Sequence, residues 1–448
     1  MASAPLDIKI IGGGVAGLAA GLALSRLQQG HQITIYESQT GLSELGAGIQ
    51  LYANAVRILC SWGLETEFAQ VCNQPEVMSI HRYADDSVIG QIAHNPQSSW
   101  EYGFPHWQCF RPDLQRLLAE ACEREGREKI RVLCGQAIKS ADTATGTLVF
   151  QDGSTTTADF VIAADGVGSR TRASIPDNLD VKPRPYKEDC FRAVVRREKM
   201  MTEPDTAELM GGKVSMVWCG PAICVLGYPV AGGAKYNIVV SVARRSDEHA
   251  IGKWSKPGDI HEVAKLLSPF CSRVQKLWSK VDECNQWTLG DLPEIPTFVS
   301  ESGKFALVGD SAHAILPHAG QGGAMALEDA ASIAEFVRVL KGPQDLPRAM
   351  RAWNDLRQRR LVNIRRMAQG NADFLTLPDG PGQEKRDQLW GAMTAGWKKE
   401  LADMGEEGYR QRKVTPDPDA QDVRTPAARM YLYGYDATGE AKAMAKML

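Results

Sequence analysis

One run of residues limits what this chain can fold into more than any other. Asp7 to Ile11 is an apolar run of β type, Gly12-Gly13-Gly14-Val15-Ala16-Gly17 breaks it, and Val15 to Leu27 is rich in Ala and Leu at helical spacing. A second apolar run, Ile33 to Tyr36, ends on Glu37. Strand, glycine turn, helix, strand and acid make the first half of a dinucleotide-binding βαβ unit. Gly12 permits the tight turn, Gly14 lets backbone N–H groups approach a pyrophosphate, and Gly17 lets the helix pack closely on the sheet. The helix start at Val15 and Ala16 turns its positive dipole end toward the anion. Glu37 can accept hydrogen bonds from ribose hydroxyls. The hexapeptide alone is weak evidence; the strand, helix and acid around it make a ligand-free glycine turn a poor explanation.

Bulk properties exclude more than they assign. The 448 residues predict about two to three domains, and 51 Lys+Arg against 54 Asp+Glu leave a net charge of −3. Such a balance offers no basic field for nucleic acid. Ten cysteines stand without a C-x-x-C pair or a neighbouring His cluster, which predicts reduced thiols and no metal site. The start, Met-Ala-Ser-Ala-Pro-Leu-Asp, lacks the pattern of a secretory signal, and Ile10 to Ser25 is too short and glycine-rich to span a bilayer. A cytoplasmic protein with no membrane partner is expected.

Further elements follow from patterning. Asn54 to Leu64 and Pro112 to Glu125 read as helices, and Thr147 to Phe150 with Ala158 to Ala163, around Asp152-Gly153, reads as a hairpin. Between Asp180 and Trp287 the chain changes to strands: Phe191 to Val195, Val214 to Cys219, Ile223 to Pro229 and Tyr236 to Val242, with a helix from Ile260 to Leu267. From Lys304 the α/β character returns with a strand at Phe305 to Val308 and a helix from Gly323 to Leu340. Charged helices span Leu346 to Met367 and Arg386 to Met404, followed by a Pro/Asp-rich connector and a short amphipathic helix. The expected organisation is a discontinuous α/β Rossmann-like domain (1–75, 106–180 and 286–370), an inserted antiparallel-sheet domain (76–105 and 181–285) and a C-terminal helical region (371–448).

Two more segments select the dinucleotide. Ala164-Asp165-Gly166-Val167-Gly168-Ser169-Arg170-Thr171-Arg172 follows one apolar strand, and Val308-Gly309-Asp310-Ser311-Ala312-His313, running on through Pro317-His318-Ala319-Gly320-Gln321-Gly322-Gly323, follows another. In these residues the chain resembles the single-component, group A FAD-dependent aromatic hydroxylases, and most closely their salicylate-hydroxylase-like branch. The segments are similar to that family's D-G and G-D motifs. The resemblance extends over nearly the whole chain, through Glu44 to Gln50 with Asn54 to Arg57, Arg111-Pro112-Asp113-Leu114, Phe191-Arg192-Ala193-Val194, Gly227-Tyr228-Pro229-Val230, Leu377 to Pro381 and Tyr433-Gly434-Tyr435-Asp436. Ser311 and Gly323-Ala324 stand where members vary. No second G-x-G-x-x-G is present.

The resemblance implies a para-hydroxybenzoate-hydroxylase-like fold and non-covalent FAD held by Gly12, Gly14, Val15, Ala16, Gly17, Glu37, Gly48, Arg111, Asp165, Asp310, Gly320, Gly322 and Gly323. It also implies NAD(P)H as a transient co-substrate, and insertion of one oxygen atom of O₂ into a phenolic or related aromatic substrate through a flavin C4a-hydroperoxide. Arg192 would bind a phenolate or carboxylate and Tyr228 would orient the same oxygen; without the family pattern both read as sheet-face or core residues. His318 has a claim to the substrate or a proton path, whereas His313 reads as packing or hydrogen-bonding beneath the G-D turn. The other six histidines read as surface or core. Of the tryptophans, Trp218 is the pocket candidate, although large aromatics are commoner in cores. The charged run Arg357 to Arg366 reads as a solvated helix face. Epoxidation of an indole or alkene in secondary metabolism, a flavin oxidase or dehydrogenase, and an FAD-binding scaffold without turnover stay open, as does the choice of monomer or homodimer.

Overall fold

The computed structural model describes residues 4–42, 46–243, 255–420, 422 and 424–448. Glu44 and Leu45 of the loop after the ribose acid, and His249, lie outside the described residues. Five parallel strands form the first sheet in the order Phe305–Leu307, Phe160–Ala163, Asp7–Ile11, Gln32–Tyr36 and Ile130–Leu133. Asp7–Ile11 is central, so Gly12 leaves the carboxyl edge where open α/β sheets bind ligands. The helix Val15–Ser25 is buried on all sides, between the sheet and the helices Arg111–Arg124 and Gly322–Arg338. That enclosure is why its residues are Ala, Gly and Leu with almost no polar face.

The hairpin expectation is half right. Thr147–Phe150 does pair across Asp152-Gly153, but with Thr155–Thr157 in a separate three-stranded sheet. Phe160–Ala163 instead enters the parallel sheet beside Asp7–Ile11. Its four consecutive buried residues fit a strand covered on both faces rather than a hairpin arm.

The second sheet has eight strands, in the order Ser255–Gly258, Cys284–Asp291, Arg184–Arg196, Lys235–Ala243, Ile223–Val230, Val214–Gly220, Val77–Arg82 and Val88–Ala93. It is antiparallel except where Val214–Gly220 meets Val77–Arg82, a parallel pair. Cys284–Asp291 belongs to it, so the inserted sheet runs past residue 285. One face, carrying Phe191, Trp218, Tyr236 and Val240, packs on the helices Ile260–Leu266 and Ser272–Trp278. Arg192, Val239, Leu226 and Val217 are register partners across four strands and share the opposite face.

Two C-terminal helices are longer than their patterning suggests, Leu346–Leu375 and Pro381–Gln411, the latter broken at Gly405 (φ 61°). The second lies along the edge strand Val88–Ala93. Thr394 Oγ1 accepts from Gln91 N at 2.7 Å, Trp397 Nε1 donates to Gln91 O at 2.9 Å, and a Cβ on Gly90 would meet Trp390 Cβ at 2.5 Å. The helix thereby satisfies backbone groups that an open sheet edge would leave to another chain. Among the described residues no helix is long and apolar enough to cross a membrane.

Candidate functional site

The glycine turn is built as its spacing requires. Gly12 has φ 103°, and a Cβ there would lie 2.4 Å from Ala164 O. A Cβ on Gly17 would lie 2.0 Å from Gly12 O, so any side chain would push the helix off the turn. A Cβ on Gly14, by contrast, would meet nothing within 4 Å. Gly14 caps the helix without a side-chain bond, which leaves the first-turn N–H groups facing open space. Val15 is buried behind them and Ala16 packs against Gly309. Glu37 is fixed by Gly13 N and Gln39 N, each donating to its carboxylate at 2.8 Å. An anion cradle beside a held acid fits the pyrophosphate and ribose of a dinucleotide.

The two later motifs meet at this edge. Both Asp165 oxygens accept bonds from their own loop, one from Ser169 Oγ and the other from Arg170 N, Thr171 N and Thr171 Oγ1. Asp165 therefore shapes the D-G loop instead of reaching outward. Arg172 ties that loop to the G-D turn through Ser311 O at 2.7 Å. Asp310 is exposed at the start of a four-residue helix, after Gly309 in a left-handed conformation (φ 61°). Arg111 carries no ion pair among the described residues; burial lowers its guanidinium, nearby Asp310 opposes that, and Arg192 adds to it. Three predicted residues from distant segments are thus electrostatic neighbours.

Beneath the G-D turn lies a network that sequence reasoning misread. Arg357 and Arg360, taken from the charged run as solvated, are 0% and 2% exposed. Arg357 binds Asp329 at 2.7 Å and Glu328 at 3.0 Å, and Arg360 binds Glu328 at 3.0 Å. Asp329 also accepts from Gly309 N at 2.8 Å and pairs with His313 Nε2 at 2.6 Å. Burial alone would raise Glu328 and Asp329, yet their neighbours, Arg360 and Arg357 for one and the His313 ring and Arg357 for the other, hold both below the ordinary carboxylate range. A helical run of arginines reads the same whether it meets water or buried acids, so no local signal separates the two.

A cavity of about 440 Å³ opens beside these motifs. Its wall is the sheet face with Val217, Leu226 and Val239, its floor the Pro317–Gly320 turn with Gln50 and Tyr52, and its far side the C-terminal helices through Trp390, Trp397, Arg429 and Tyr433. His318 is in the wall, its Nε2 2.7 Å from the buried Glu188. Gly320 (φ 62°) and Gly323 are held against Tyr52 and Ile49, where a Cβ would come to 2.8 and 2.6 Å, while the space at Gly322 is open. Arg192 and Tyr228 stand on the same sheet face beside the wall. Arg192 lies 5.7 Å over the Trp287 ring, and its Nε has no partner. Tyr228 is buried, which raises its phenol, and its hydroxyl would be 2.6 Å from a Cβ on Gly48; Gly48 N donates to Asn237 Oδ1 at 2.7 Å.

Trp218 is not in the pocket. Its side chain points to the other face of the sheet, fully buried, with Nε1 donating to Asp86 Oδ1 at 2.7 Å. Strand alternation decides this: Val217 faces the cavity, so Trp218 cannot. His94 and His106, read as surface or core, line the cavity instead. With them come Tyr52, Tyr102, Arg429 and Tyr433, gathered from both ends of the chain. Tyr433 belongs to a C-terminal landmark visible in the sequence, but no spacing there points to a pocket.

Comparison with known proteins gives this geometry a context. Residues 6–346 match the family model described as FAD binding domain. An FAD-dependent monooxygenase of Beauveria bassiana, OpS4, is 29% identical over 440 residues, covering 98% of this chain and 96% of its own length. A 3-amino-4-hydroxybenzoate 2-monooxygenase of Streptomyces cremeus is 30% identical over 389 residues, covering 87% and 92%. A solved salicylate hydroxylase substrate complex superposes with a TM-score of 0.75 at 23% identity, covering 99% of this chain and 98% of the other.

Proposed function

Because this chain belongs to the FAD binding domain family and is an FAD-dependent monooxygenase, we propose that it hydroxylates a phenolic or related aromatic compound, with NAD(P)H as reductant. When bound, FAD supplies the activation of O₂ from which one oxygen atom reaches the ring. The observation that carries the substrate class is the cavity of about 440 Å³, apolar along its sheet wall and bordered by the Pro317–Gly320 turn. Its size suits a small ring system.

The cofactor would be held by the helix start at Gly14, Val15 and Ala16, the carboxylate of Glu37, Arg111, Asp310, the open Gly322 and, next to it, Gly323. Asp165 would act through its loop. Arg192, without an ion pair among the described residues, would hold a phenolate oxygen and favour the ionised, more nucleophilic ring. Tyr228, kept neutral by burial, would donate to the same oxygen. His318, oriented by the bond between its Nε2 and Glu188, would accept or return the ring proton at Nδ1. The helix Pro381–Gln411 over the sheet edge would keep water from the reacting centre.

The test is NAD(P)H oxidation by the FAD-loaded enzyme across phenols, salicylates, indoles and alkenes, with H₂O₂ and oxygenated product quantified together. Stimulation by a phenolic class with hydroxylated product exceeding peroxide supports the reading. An epoxide, or oxidation of substrate without NAD(P)H consumption, would replace it with an epoxidase or an oxidase.

A further inference from the structure

Resting on the aromatic-hydroxylase reading, we propose that the end of the cavity bounded by Arg429, His94 and His106 is a carboxylate-binding subsite, so that the substrate is an aromatic acid. Arg429, on the helix Pro426–Tyr433, lines the cavity, and its side chain makes no hydrogen bond or ion pair among the described residues. The other two guanidinium groups in the lining are engaged, Arg412 with Glu400 at 3.0 Å and Arg424 with Asp422 at 2.5 Å. His106 is fully buried with neither ring nitrogen bonded, and His94, 5% exposed, leaves Nε2 unbonded. Buried polar nitrogens are almost always paired, so three orphaned ones around one cation mark a place built for acceptors that the chain does not itself provide.

The group is held in position rather than loosely gathered. The Tyr52 ring stacks between His106 at 4.3 Å and Tyr433 at 4.2 Å, and the His94 and His106 rings meet edge to face at 4.2 Å. Asn95 brackets the His106 backbone, accepting from its N–H and donating to its carbonyl, each at 2.9 Å. Burial lowers both imidazoles, His106 to about 3, and raises the phenols of Tyr52, Tyr102 and Tyr433. The donors of the subsite are therefore the one cation Arg429 and a set of neutral groups. One carboxylate matches that: it neutralises the guanidinium and has lone pairs to spare for the imidazole and phenol donors. A dianion would exceed the available charge.

The facing acid is Glu101, which also lines the cavity and acts on Arg429 electrostatically without forming an ion pair. It is the internal competitor for the same cation. Tyr52 connects the subsite to the reacting end, since it is also the residue against which Gly320 is packed. A ring held by its carboxylate at Arg429 would lie along the sheet wall toward that turn.

The test compares a matched acid and amide, salicylate and salicylamide, on the full-length FAD-loaded enzyme. Binding is followed by flavin absorbance and by tryptophan fluorescence, because Trp390 and Trp397 line the cavity. The wild type is expected to prefer the acid. Arg429→Gln should weaken salicylate by about tenfold or more and leave salicylamide within about twofold, whereas Glu101→Gln should tighten the acid. Should Arg429→Gln lose FAD or fold poorly, Arg429→Lys, which keeps the charge, and His106→Gln should each erode the preference for acid in part. Equal effects on both ligands, no effect on either, or a wild type that binds the acid no better than the amide would overturn the subsite and leave Arg429 as a counter-ion to Glu101. Failure of every aromatic to stimulate NAD(P)H oxidation would instead remove the hydroxylase reading, while the fluorescence titration still reports on the subsite.

Discussion

Two buried polar regions, one beneath the Gly309-Asp310 turn and one at the end of the cavity, are built in opposite ways. Under the Gly309-Asp310 turn, Arg357 and Arg360 face Glu328 and Asp329, and every charge has a partner within 3.2 Å. At the end of the cavity, the Arg429 side chain has no hydrogen-bond or ion-pair partner among the described residues, and His94 and His106 keep nitrogens unbonded. The first arrangement spends its electrostatics on itself and holds helices and turn together. The second keeps its capacity for something outside the fold. Burial alone does not separate structural from functional polar groups; whether they are paired does.

The contrast predicts its own largest effect. Arg357→Ala should destabilise the protein by about 3–5 kcal/mol, since it takes one cationic partner from each of two buried carboxylates, and FAD should be retained less well if the Asp329 contact to Gly309 shifts. Arg429→Ala should change stability by about 1 kcal/mol or less, because no pair is broken. Urea unfolding of both variants checks this, and equal losses would erase the distinction. Next in size, Arg192→Gln should raise the apparent KM for an ionisable phenol by about tenfold or more while a non-ionisable aromatic is little affected; steady-state kinetics on the two substrates decide it.

A smaller effect comes from protonation. His106 titrates at about 3 in the fold against 6.5 unfolded, lowered by burial. The unfolded chain therefore binds more protons between those values, and stability present above pH 6.5 is lost as the pH falls. From pH 7 to 5.5 the loss should be about 1 kcal/mol from this group, and His106→Gln should flatten that slope in thermal melts. Last, Trp218→Phe should cost about 1 kcal/mol through the lost bond to Asp86, with KM unchanged; a raised KM would return Trp218 to the pocket.

The legible parts of this protein share a property. Gly12, Gly17 and Glu37 could be read because each meets a constraint set close by in the chain: for Gly12 its own φ of 103°, for Gly17 the clash a Cβ would make with Gly12 O, for Glu37 the end of a strand. Phe160–Ala163 was misassigned since a hairpin arm and a buried parallel strand look alike over four residues. Trp218 was misplaced because the phase of a strand, unlike its period, depends on what packs against each face. Arg357 and Arg360 looked solvated because a helix does not record its neighbours.

By itself, then, the sequence determined the dinucleotide turn and the alternation of α/β and sheet segments, both consequences of local sterics and periodicity, while the segments after Ala163 and Val308 pointed to FAD through their resemblance to a family's motifs. Only the tertiary structure decided what lines the cavity. His94 and His106 meet Arg429 and Tyr433 across more than 300 residues of chain, and whether a polar group buried there is satisfied depends on atoms that no local pattern specifies. Pairing is a property of the packed molecule, and so is the site.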